Sequence, residues 1–300
     1  MDPVIDTHDL TKRFGKATAL DHLTLTVGPG EVFGFLGPNG AGKTTTVRLL
    51  LGIIRASEGS VHVFGRDAWS DAVAVHRRVA YVPGELSLWP QLTGGETLAL
   101  LGALHGPVDD AYRDELCERF VFDPSKKVRA YSKGNRQKIG LIAALMTRAD
   151  LLVLDEPTSG LDPLMEIAFR RCVGEASDRG QTVFLSSHIL SEVEALCGRV
   201  GILRAGRLVD LGTLSEMRHL SARAVELQFG GPVPDLSGVA GVTKITSDDR
   251  RVRLEVQGSM APLLHAIAAY EVVGIDSREP SLEELFVAHY GEAADGSARP

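Results

Sequence analysis

"GPNGAGKT", residues 37–44, has three glycines, a lysine and a threonine in the order G-x-x-x-x-G-K-[ST]. The preceding "GEVFGFLG" is mostly apolar, as in a strand, and the following "KTTTVRLLLGII" has apolar residues at helical spacing. A strand, a glycine-rich turn and a helix in this order begin an α/β nucleotide-binding unit. The stretch therefore predicts an α/β fold.

This glycine-rich turn has the chemistry of a phosphate site. Glycines let successive backbone N–H groups face one oxyanion, and the following helix adds its positive N-terminal end. We expect Lys43 to hold the β- and γ-phosphates, and the Thr44 hydroxyl to bind Mg²⁺. The alternative is a glycine turn that happens to precede a helix, and the combination of strand, turn and helix argues against it.

Two more short strands carry polar residues at their ends. "LLVLDEP" and "TVFLSSH" are brief apolar runs, and "LMEIAFRRCVGEASDRG" between them is typical of a helix that Gly180 ends. The first strand brings Asp155 and Glu156 to its carboxyl end, beside the nucleotide in this class of fold. We expect Asp155 to bind Mg²⁺, directly or through water, and Glu156 to act on the attacking water. Alone, such a pair is more often a helix cap or surface charge.

With these residues placed, residues 4–215 resemble the ATP-binding subunits of ABC transporters. "LLVLDEPTSGLDP" matches that family's Walker B and D-loop segments, and "FLSSHILSEVE" matches its switch segment. The resemblance implies that Asp162 belongs to the D-loop, that His188 contacts the γ-phosphate and that Phe14 stacks on adenine. It also implies an ABC-type P-loop ATPase domain at 1–215, with a RecA-like core and antiparallel β and helical subdomains. The loop residues that it assigns to ATP are Gly37, Pro38, Asn39, Gly40, Ala41, Gly42, Lys43, Thr44 and Thr45.

"YSKGNRQK", residues 131–138, resembles the signature sequence of the same family, usually written LSGGQ. In that family the signature of one subunit covers the γ-phosphate held by a second subunit, which implies a head-to-tail dimer of two copies with ATP between them. We assign Ser132 and Gly134 to this site, since a hydroxyl, a glycine N–H and a helix N-terminus together form an anion site. A plain helix N-cap at Ser132 is compatible with that role.

The sequence departs from the family pattern at two places. Lys133 and Asn135 stand where Gly and Gln are common, and Lys133 is either a γ-phosphate contact or an outward-facing charge. Gly84 occupies the Q-loop position, where a Gln contacts Mg²⁺ and the attacking water. We predict that Glu85 takes over part of that role, and the alternative is a solvated charge.

The resemblance also implies a separate integral membrane permease. Leu88 and Trp89 lie in the segment where this family contacts a cytoplasmic helix of its permease. An exposed Trp suits such a contact, and a partly buried core Trp is the alternative. We expect two permease copies, each with six membrane helices.

A second pattern begins near residue 215. "ARAVELQFG" and "RRVRLEVQG" alternate as half-exposed strands, "SDD" marks a turn after "GVTKITS", and "APLLHAIAAYEV" has helical spacing. "SLEELFVAHY" begins with Ser281 and Glu284 in a capping-box pattern. We predict a small α+β domain at 220–291 for dimerisation or regulation, and a disordered tail at 292–300. "PSLEELFVAHYGE" resembles the ends of drug-resistance-type exporter ATPases such as the daunorubicin-resistance branch, which implies export of a drug, antibiotic, polyketide or lipid.

Composition limits where the chain is expected to be located and which partners it is expected to bind. It has no apolar run near the roughly 18 residues that span a bilayer and no signal-peptide pattern. We therefore expect a cytoplasmic protein, held at the cytoplasmic face of the membrane by its permease. The net charge of -7 argues against general binding to nucleic acid, and we expect none as a partner. The widely spaced cysteines predict reduced thiols; they are Cys117, Cys172 and Cys197.

Two other functions fit an ABC-type ATPase. One is the ATPase subunit of an importer, which the signature and the C-terminal ending argue against. The other is a non-transport ATPase acting on ribosomes or DNA, a group that usually carries two cassettes or long insertions, whereas this chain has one cassette. In such transporters the permease, and not the ATPase, binds the transported compound.

Overall fold

The computed structural model describes residues 2–106, 108–219 and 223–278. The chain divides into two compact units, Met1–Leu211 and Gly212–Pro300. The capping-box prediction at Ser281 and the predicted tail at 292–300 lie outside the described residues. Among the described residues, no helix has the length and apolar character needed to cross a bilayer.

The first unit combines two sheets with helices around them. Its strands are β1 (Ile5–Phe14), β2 (Ala17–Val27), β3 (Val32–Leu36), β4 (Glu58–Val63), β5 (Arg66–Asp67), β6 (Val79–Val82), β7 (Leu151–Asp155), β8 (Thr182–Ser187), β9 (Arg199–Arg204) and β10 (Arg207–Thr213), whose last two residues belong to the second unit. Its helices are α1 (Lys43–Leu50), α2 (Ala72–His76), α3 (Gly94–His105), α4 (Asp110–Arg119), α5 (Lys133–Met146), α6 (Pro163–Asp178) and α7 (Leu190–Leu196), with a 3-10 turn at Val128–Ala130.

The central sheet has the strand order β10-β9-β3-β8-β7-β6. β3 pairs in parallel with β8 and β9, and β7 pairs in parallel with β6 and β8. Every residue of β7 and β8 is buried, which explains why "LLVLD" and "TVFLSS" are almost continuously apolar rather than alternating. The carboxyl ends of β3, β8, β7 and β6 therefore meet at one edge of the sheet.

The second sheet is antiparallel and has the order β2-β1-β4-β5. One hydrophobic core contains buried residues of both sheets and of α1, among them Leu25 from the antiparallel sheet, Phe33 and Phe184 from the central sheet, and Val47 from α1. The rings of Phe33 and Phe184 stack at 5.8 Å between centroids. The two sheets and α1 are thus one packed body.

A group of helices, α3, α4 and α5, lies in the chain between β6 and β7. α3 begins in a capping box, in which Thr93 and Glu96 each bond the other's backbone N–H. Phe122 packs on Tyr131 just before α5 at 5.2 Å between ring centroids. The predicted α/β fold with a RecA-like core and antiparallel β and helical subdomains is confirmed.

The structure differs from the sequence patterns at the ends of some elements. The helical pattern "KTTTVRLLLGII" forms only α1, which ends at Leu50, because Gly52 takes a left-handed φ of 59° and lies against the Ala68 backbone. β1 was not predicted, since "IDTHDLTKRF" mixes polar and apolar residues without regular alternation.

The second unit contains a four-stranded antiparallel sheet of order β12-β13-β11-β14. Its elements are α8 (Leu214–His219), β11 (Arg223–Phe229), β12 (Val242–Asp248), β13 (Arg251–Val256), α9 (Ala261–Ile267) and β14 (Val272–Arg278). The sheet packs on α9 through a separate core that includes Leu227, Leu254 and Leu263. The unit is α+β as predicted, although α9 ends at Ile267 and the chain after it forms β14.

The buried Phe184 gives a stability prediction. Its ring is fully buried against Phe33 and Phe35, so Phe184→Ala should lower the free energy of unfolding by about 3–5 kcal/mol. Chemical denaturation of the full chain measures this, with Phe14→Ala as the control. Phe14 is 52% exposed, and its loss should change stability by about 0.5 kcal/mol or less. Equal losses in the two variants would contradict the packing described here.

Candidate functional site

The glycine-rich loop after β3 leaves no room for side chains at two of its positions. A Cβ on Gly37 would overlap the backbone oxygen of Leu203, and one on Gly42 would lie 2.7 Å from the oxygen of Ala19. Gly42 also has φ 114°, in the left-handed region that favours glycine. The loop is therefore held tightly against neighbouring backbone, with its N–H groups ahead of α1, as a phosphate cradle requires.

Lys43 lies buried at the start of α1. Its Nζ donates hydrogen bonds to the backbone oxygens of Gly37 at 2.6 Å and Pro38 at 3.3 Å, and it is 3.6 Å from Oε1 of Glu156. Burial lowers the pKa of the Lys43 ammonium, and the Glu156 carboxylate acts in the opposite direction. A poorly hydrated cation inside the loop interacts with an anion more strongly than an exposed one does.

Both oxygens of the Asp155 carboxylate are held in place at the end of β7. The Thr44 hydroxyl donates to Oδ2 at 3.0 Å, and the Ser186 hydroxyl donates to Oδ1. Hydroxyl and carboxylate oxygens are the ligand types that Mg²⁺ prefers, with phosphates and water completing its shell. Thr44 and Asp155 thus fit a magnesium ion. Ser186 was not singled out from the sequence, although two serines ending an otherwise apolar strand were a visible signal.

The Glu156 carboxylate contacts two other side chains that were predicted to be catalytic, Lys43 and His188. Its Oε1 lies 3.1 Å from Nδ1 of His188, in addition to the 3.6 Å contact with Lys43. Its backbone has φ 49°, which is strained for a residue other than glycine, and its N–H donates to the Ser186 oxygen at 2.9 Å. Backbone strain is therefore stored at the residue expected to act on water.

The signature segment contacts a different part of its own chain. Ser132 is the N-cap of α5, since its hydroxyl accepts from the N–H of Asn135 at 3.2 Å. Lys133 Nζ donates to the Ser159 hydroxyl at 3.1 Å, so its ammonium is used within its own chain.

Two further contacts hold the first turn of α5 on the segment after Glu156. Gln137 Nε2 donates to the Pro157 oxygen at 3.0 Å, and a Cβ on Gly134 would overlap the Gly160 oxygen. Gln137 was not identified from the sequence, because its partner is set by tertiary packing. Gly134 has a packing reason to be glycine, independent of its predicted role.

The structure also locates four other positions that were predicted from the sequence. Asp162 is the N-cap of α6 and accepts from the Met165 N–H at 3.0 Å. Phe14 ends β1 with an exposed ring. Trp89 is 47% exposed, which excludes a core position within the described chain. Glu85 is exposed, and its role stays a prediction.

Gly84, at the predicted Q-loop position, lies beside Asp155. A Cβ built on Gly84 would lie 3.4 Å from the backbone oxygen of Asp155 and 3.9 Å from its Oδ2. The position is therefore next to the predicted metal ligand, as the resemblance implied, but without a side chain that reaches it.

The loop, the buried lysine and the carboxylates at one edge of a parallel sheet define a P-loop nucleoside triphosphatase. Residues 20–159 match the ABC transporter family. The bacitracin transport ATP-binding protein BcrA of Bacillus licheniformis is 36% identical, over 76% of each chain. The daunorubicin resistance ATP-binding protein DrrA3 of Streptomyces coeruleorubidus is 35% identical, over 97% of each. This chain belongs to the family of ABC transporter ATP-binding proteins.

Solved structures agree with this assignment. The chain superposes on an ATP-binding subunit of an ABC transporter with a TM-score of 0.67 and 30% identity, over 72% of this chain and 92% of the other. A dimeric bacterial ABC transporter cassette has a TM-score of 0.64 at 20% identity, over 70% and 98% of the two chains, and shows the fold. The predictions of an ATPase and of ATP as its ligand are confirmed. Members of this family work as dimers with membrane permeases.

The exposed ring of Phe14 gives a binding prediction. Stacking of a base on an aromatic side chain contributes about 1–3 kcal/mol, so Phe14→Ala should raise the Kd for ATP by about 10-fold. Titration of the purified chain with a fluorescent ATP analogue measures this, and Phe14→Trp is the matched control that should retain affinity. An unchanged Kd for Phe14→Ala would exclude the stacking role.

Proposed function

We propose that this chain hydrolyses Mg²⁺-ATP in a head-to-tail dimer of two copies and thereby powers the export of a drug-like compound through a separate permease. The observation that supports the chemistry most directly is the position of Glu156, whose carboxylate lies between Lys43 Nζ and His188 Nδ1. The proposed base thus contacts both the proposed phosphate-binding cation and the group proposed to sense the γ-phosphate.

Each residue of the cluster has a distinct part in hydrolysis. Lys43 binds the β- and γ-phosphates in place of the loop carbonyls that it now contacts. Glu156 accepts a proton from the attacking water, whose oxygen bonds to the γ-phosphorus while the bond to the β-phosphate oxygen breaks. His188 donates from its ring to the γ-phosphate. Thr44 and Asp155 hold Mg²⁺, which when bound neutralises charge on the phosphate oxygens.

The rest of the nucleotide site is supplied by other parts of the dimer. Ser132 is exposed at the start of α5, and none of the hydrogen bonds found in the described residues joins it to Lys43 or Glu156. We assign Ser132, Gly134 and the exposed Asp162 to the ATP held by the second copy. Phe14 stacks on the adenine held by its own chain.

The relatives favour export of an antibiotic or a similar compound. Their names refer to bacitracin transport, to daunorubicin resistance and, for LnrL of Bacillus subtilis, to linearmycin resistance. We propose a cargo among drugs, antibiotics, polyketides and lipids, and a permease with six membrane helices present in two copies. The chain then lies at the cytoplasmic face of the membrane, with exposed Trp89 as a permease contact.

The two units are proposed to have separate tasks. The ATP-binding domain covers 1–215, and 220–291 forms a C-terminal domain for dimerisation or regulation. The separate core of the second unit, which includes Val225 and Val256, supports its treatment as an independently packed domain.

Replacing the catalytic carboxylate should separate binding from hydrolysis. Glu156→Gln keeps the shape of the side chain but removes the base, so turnover should fall by at least about 100-fold, while ATP induces a stable dimer. Size-exclusion chromatography with and without Mg²⁺-ATP and a phosphate-release assay measure the two effects. The control is Glu118→Gln, at an exposed position of α4, which should behave as the original chain does. Undiminished turnover of Glu156→Gln would refute Glu156 as the base.

The partner and the direction of transport need a separate experiment. The tagged chain, isolated with detergent from the membranes of its source, should bring with it a six-helix permease. In inverted vesicles containing both proteins, ATP should drive daunorubicin or bacitracin into the lumen, and Glu156→Gln should abolish this. Recovery of ribosomes instead would overturn the transport function, and ATP-driven movement out of the lumen would indicate an importer.

A further inference from the structure

Glu192 lies in the first turn of α7, and one oxygen of its carboxyl is turned inward. Its Oε1 is buried and has no hydrogen-bond partner among the described residues. A buried acceptor without a partner is less stable than a hydrated one. A carboxyl retained at such a position needs a reason, and its other oxygen supplies one.

Oε2 of Glu192 determines how the Ser187 hydroxyl is turned. Ser187 Oγ donates to Oε2 at 2.6 Å and accepts from the N–H of Ile189 at 3.0 Å. A serine hydroxyl has a single proton, so its donation to Glu192 leaves the lone pairs free for Ile189. The bond from Ile189 back to Ser187 closes a short side-chain turn with His188 at its apex.

The same turn holds His188 against the catalytic carboxylate. Nδ1 of His188 lies 3.1 Å from Oε1 of Glu156. Without Glu192, the Ser187 hydroxyl would have the Ile189 carbonyl oxygen, 3.5 Å away, as its acceptor. Rotation towards that oxygen would turn the lone pairs away from the Ile189 N–H and open the turn. The direction of the His188 ring therefore depends on a carboxyl four residues further along the chain.

The surroundings of Glu192 connect it to a second catalytic segment. Burial raises the pKa of the Glu192 carboxyl, and Glu166 on α6 acts in the same direction. The hydrogen bond from Ser187, the nearby Thr158 hydroxyl and the charge of His188 lower it. The Cys197 thiol also lies within the electrostatic reach of this carboxyl. Since Thr158 follows Glu156 by two positions, Glu192 lies between the switch turn and the segment after the base.

We propose that Glu192 is a positioning residue, which fixes the Ser187 hydroxyl, closes the turn around His188 and so holds the His188 ring in line with Glu156 and the γ-phosphate. It acts through Ser187 and touches neither ATP nor the attacking water. The inference rests on the roles proposed above for Glu156 and His188.

Steady-state kinetics of the full-length chain test the proposal. Glu192→Ala and Ser187→Ala should each lower kcat about 10–100-fold and leave the KM for ATP within about twofold, because the phosphate loop is untouched. The double variant should be no slower than the slower single variant, since both remove one connected unit. Glu192→Gln should stay within about threefold of the original kcat, because its amide oxygen still accepts from Ser187. Ser191→Ala, at an exposed position of the same segment, is the control.

Three results would overturn the proposal. They are an unchanged kcat in Glu192→Ala, additive losses in the double variant, and a loss in Glu192→Gln as large as in Glu192→Ala. If Glu192→Ala shows no cooperative thermal unfolding, an undiminished kcat in Ser187→Ala overturns the positioning role of Glu192.

Glu156→Gln and His188→Ala, measured in the same assay, separate a failure of the proposed catalytic chemistry from a failure of the positioning role. If these two retain turnover, the proposed chemistry fails, and if only Glu192→Ala retains it, the positioning role alone fails.

Discussion

The register between β7 and β8 is the constraint on which the whole site depends. Asp155 pairs with Ser186, and Leu36 at the end of β3 pairs with Ser187. Side chains alternate between the two faces of a strand, so a shift by one residue would turn Asp155 away from Thr44. It would also remove the bond from the Glu156 N–H to the Ser186 oxygen. The buried apolar residues on both faces of these strands make such a shift costly, and the packing of the core thereby sets the geometry of the chemistry.

Several features of the site lower the stability of the folded chain. Lys43 and Asp155 are buried ionisable groups, and burial of a charge is costly unless it is paired and hydrogen-bonded. The strained backbone of Glu156 adds to that cost, and so does the Glu192 oxygen that lacks a hydrogen-bond partner within the described part of the chain. All four lie at or next to one edge of the sheet, while the hydrophobic core shared by the two sheets supplies the compensating stability. Local rules are broken where the nucleotide is proposed to react, which is the usual pattern in enzymes.

Residues whose role is set by local sequence were predictable. The glycine loop, Lys43 and the start of α5 follow from short patterns with a direct physical meaning, and the buried strands follow from their apolar runs. Several strands, among them β1 and β14, were not predicted, and these two are mixed in polarity and carry no clear alternation.

Partners across the fold were not predictable in the same way. Ser186 and Gln137 act through residues distant in the chain, Asp155 and Pro157. Such pairs depend on strand register and helix docking, and the sequence of either segment alone contains no signal for them. Glu192 was visible only as one acidic residue of a helix, and its inward direction required the structure.

The docking of α5 on residues 157–160 has a consequence for how two nucleotides are handled. The start of α5, which is proposed to contact the ATP of a second copy, packs on the segment that follows Glu156. The contacts are made by Lys133, Gly134 and Gln137. In the proposed dimer, a movement at one chain's base is therefore passed to the ATP held by the other. A substitution that loosens the contact between α5 and this segment would therefore disturb two reaction centres, although it changes a single surface of the chain.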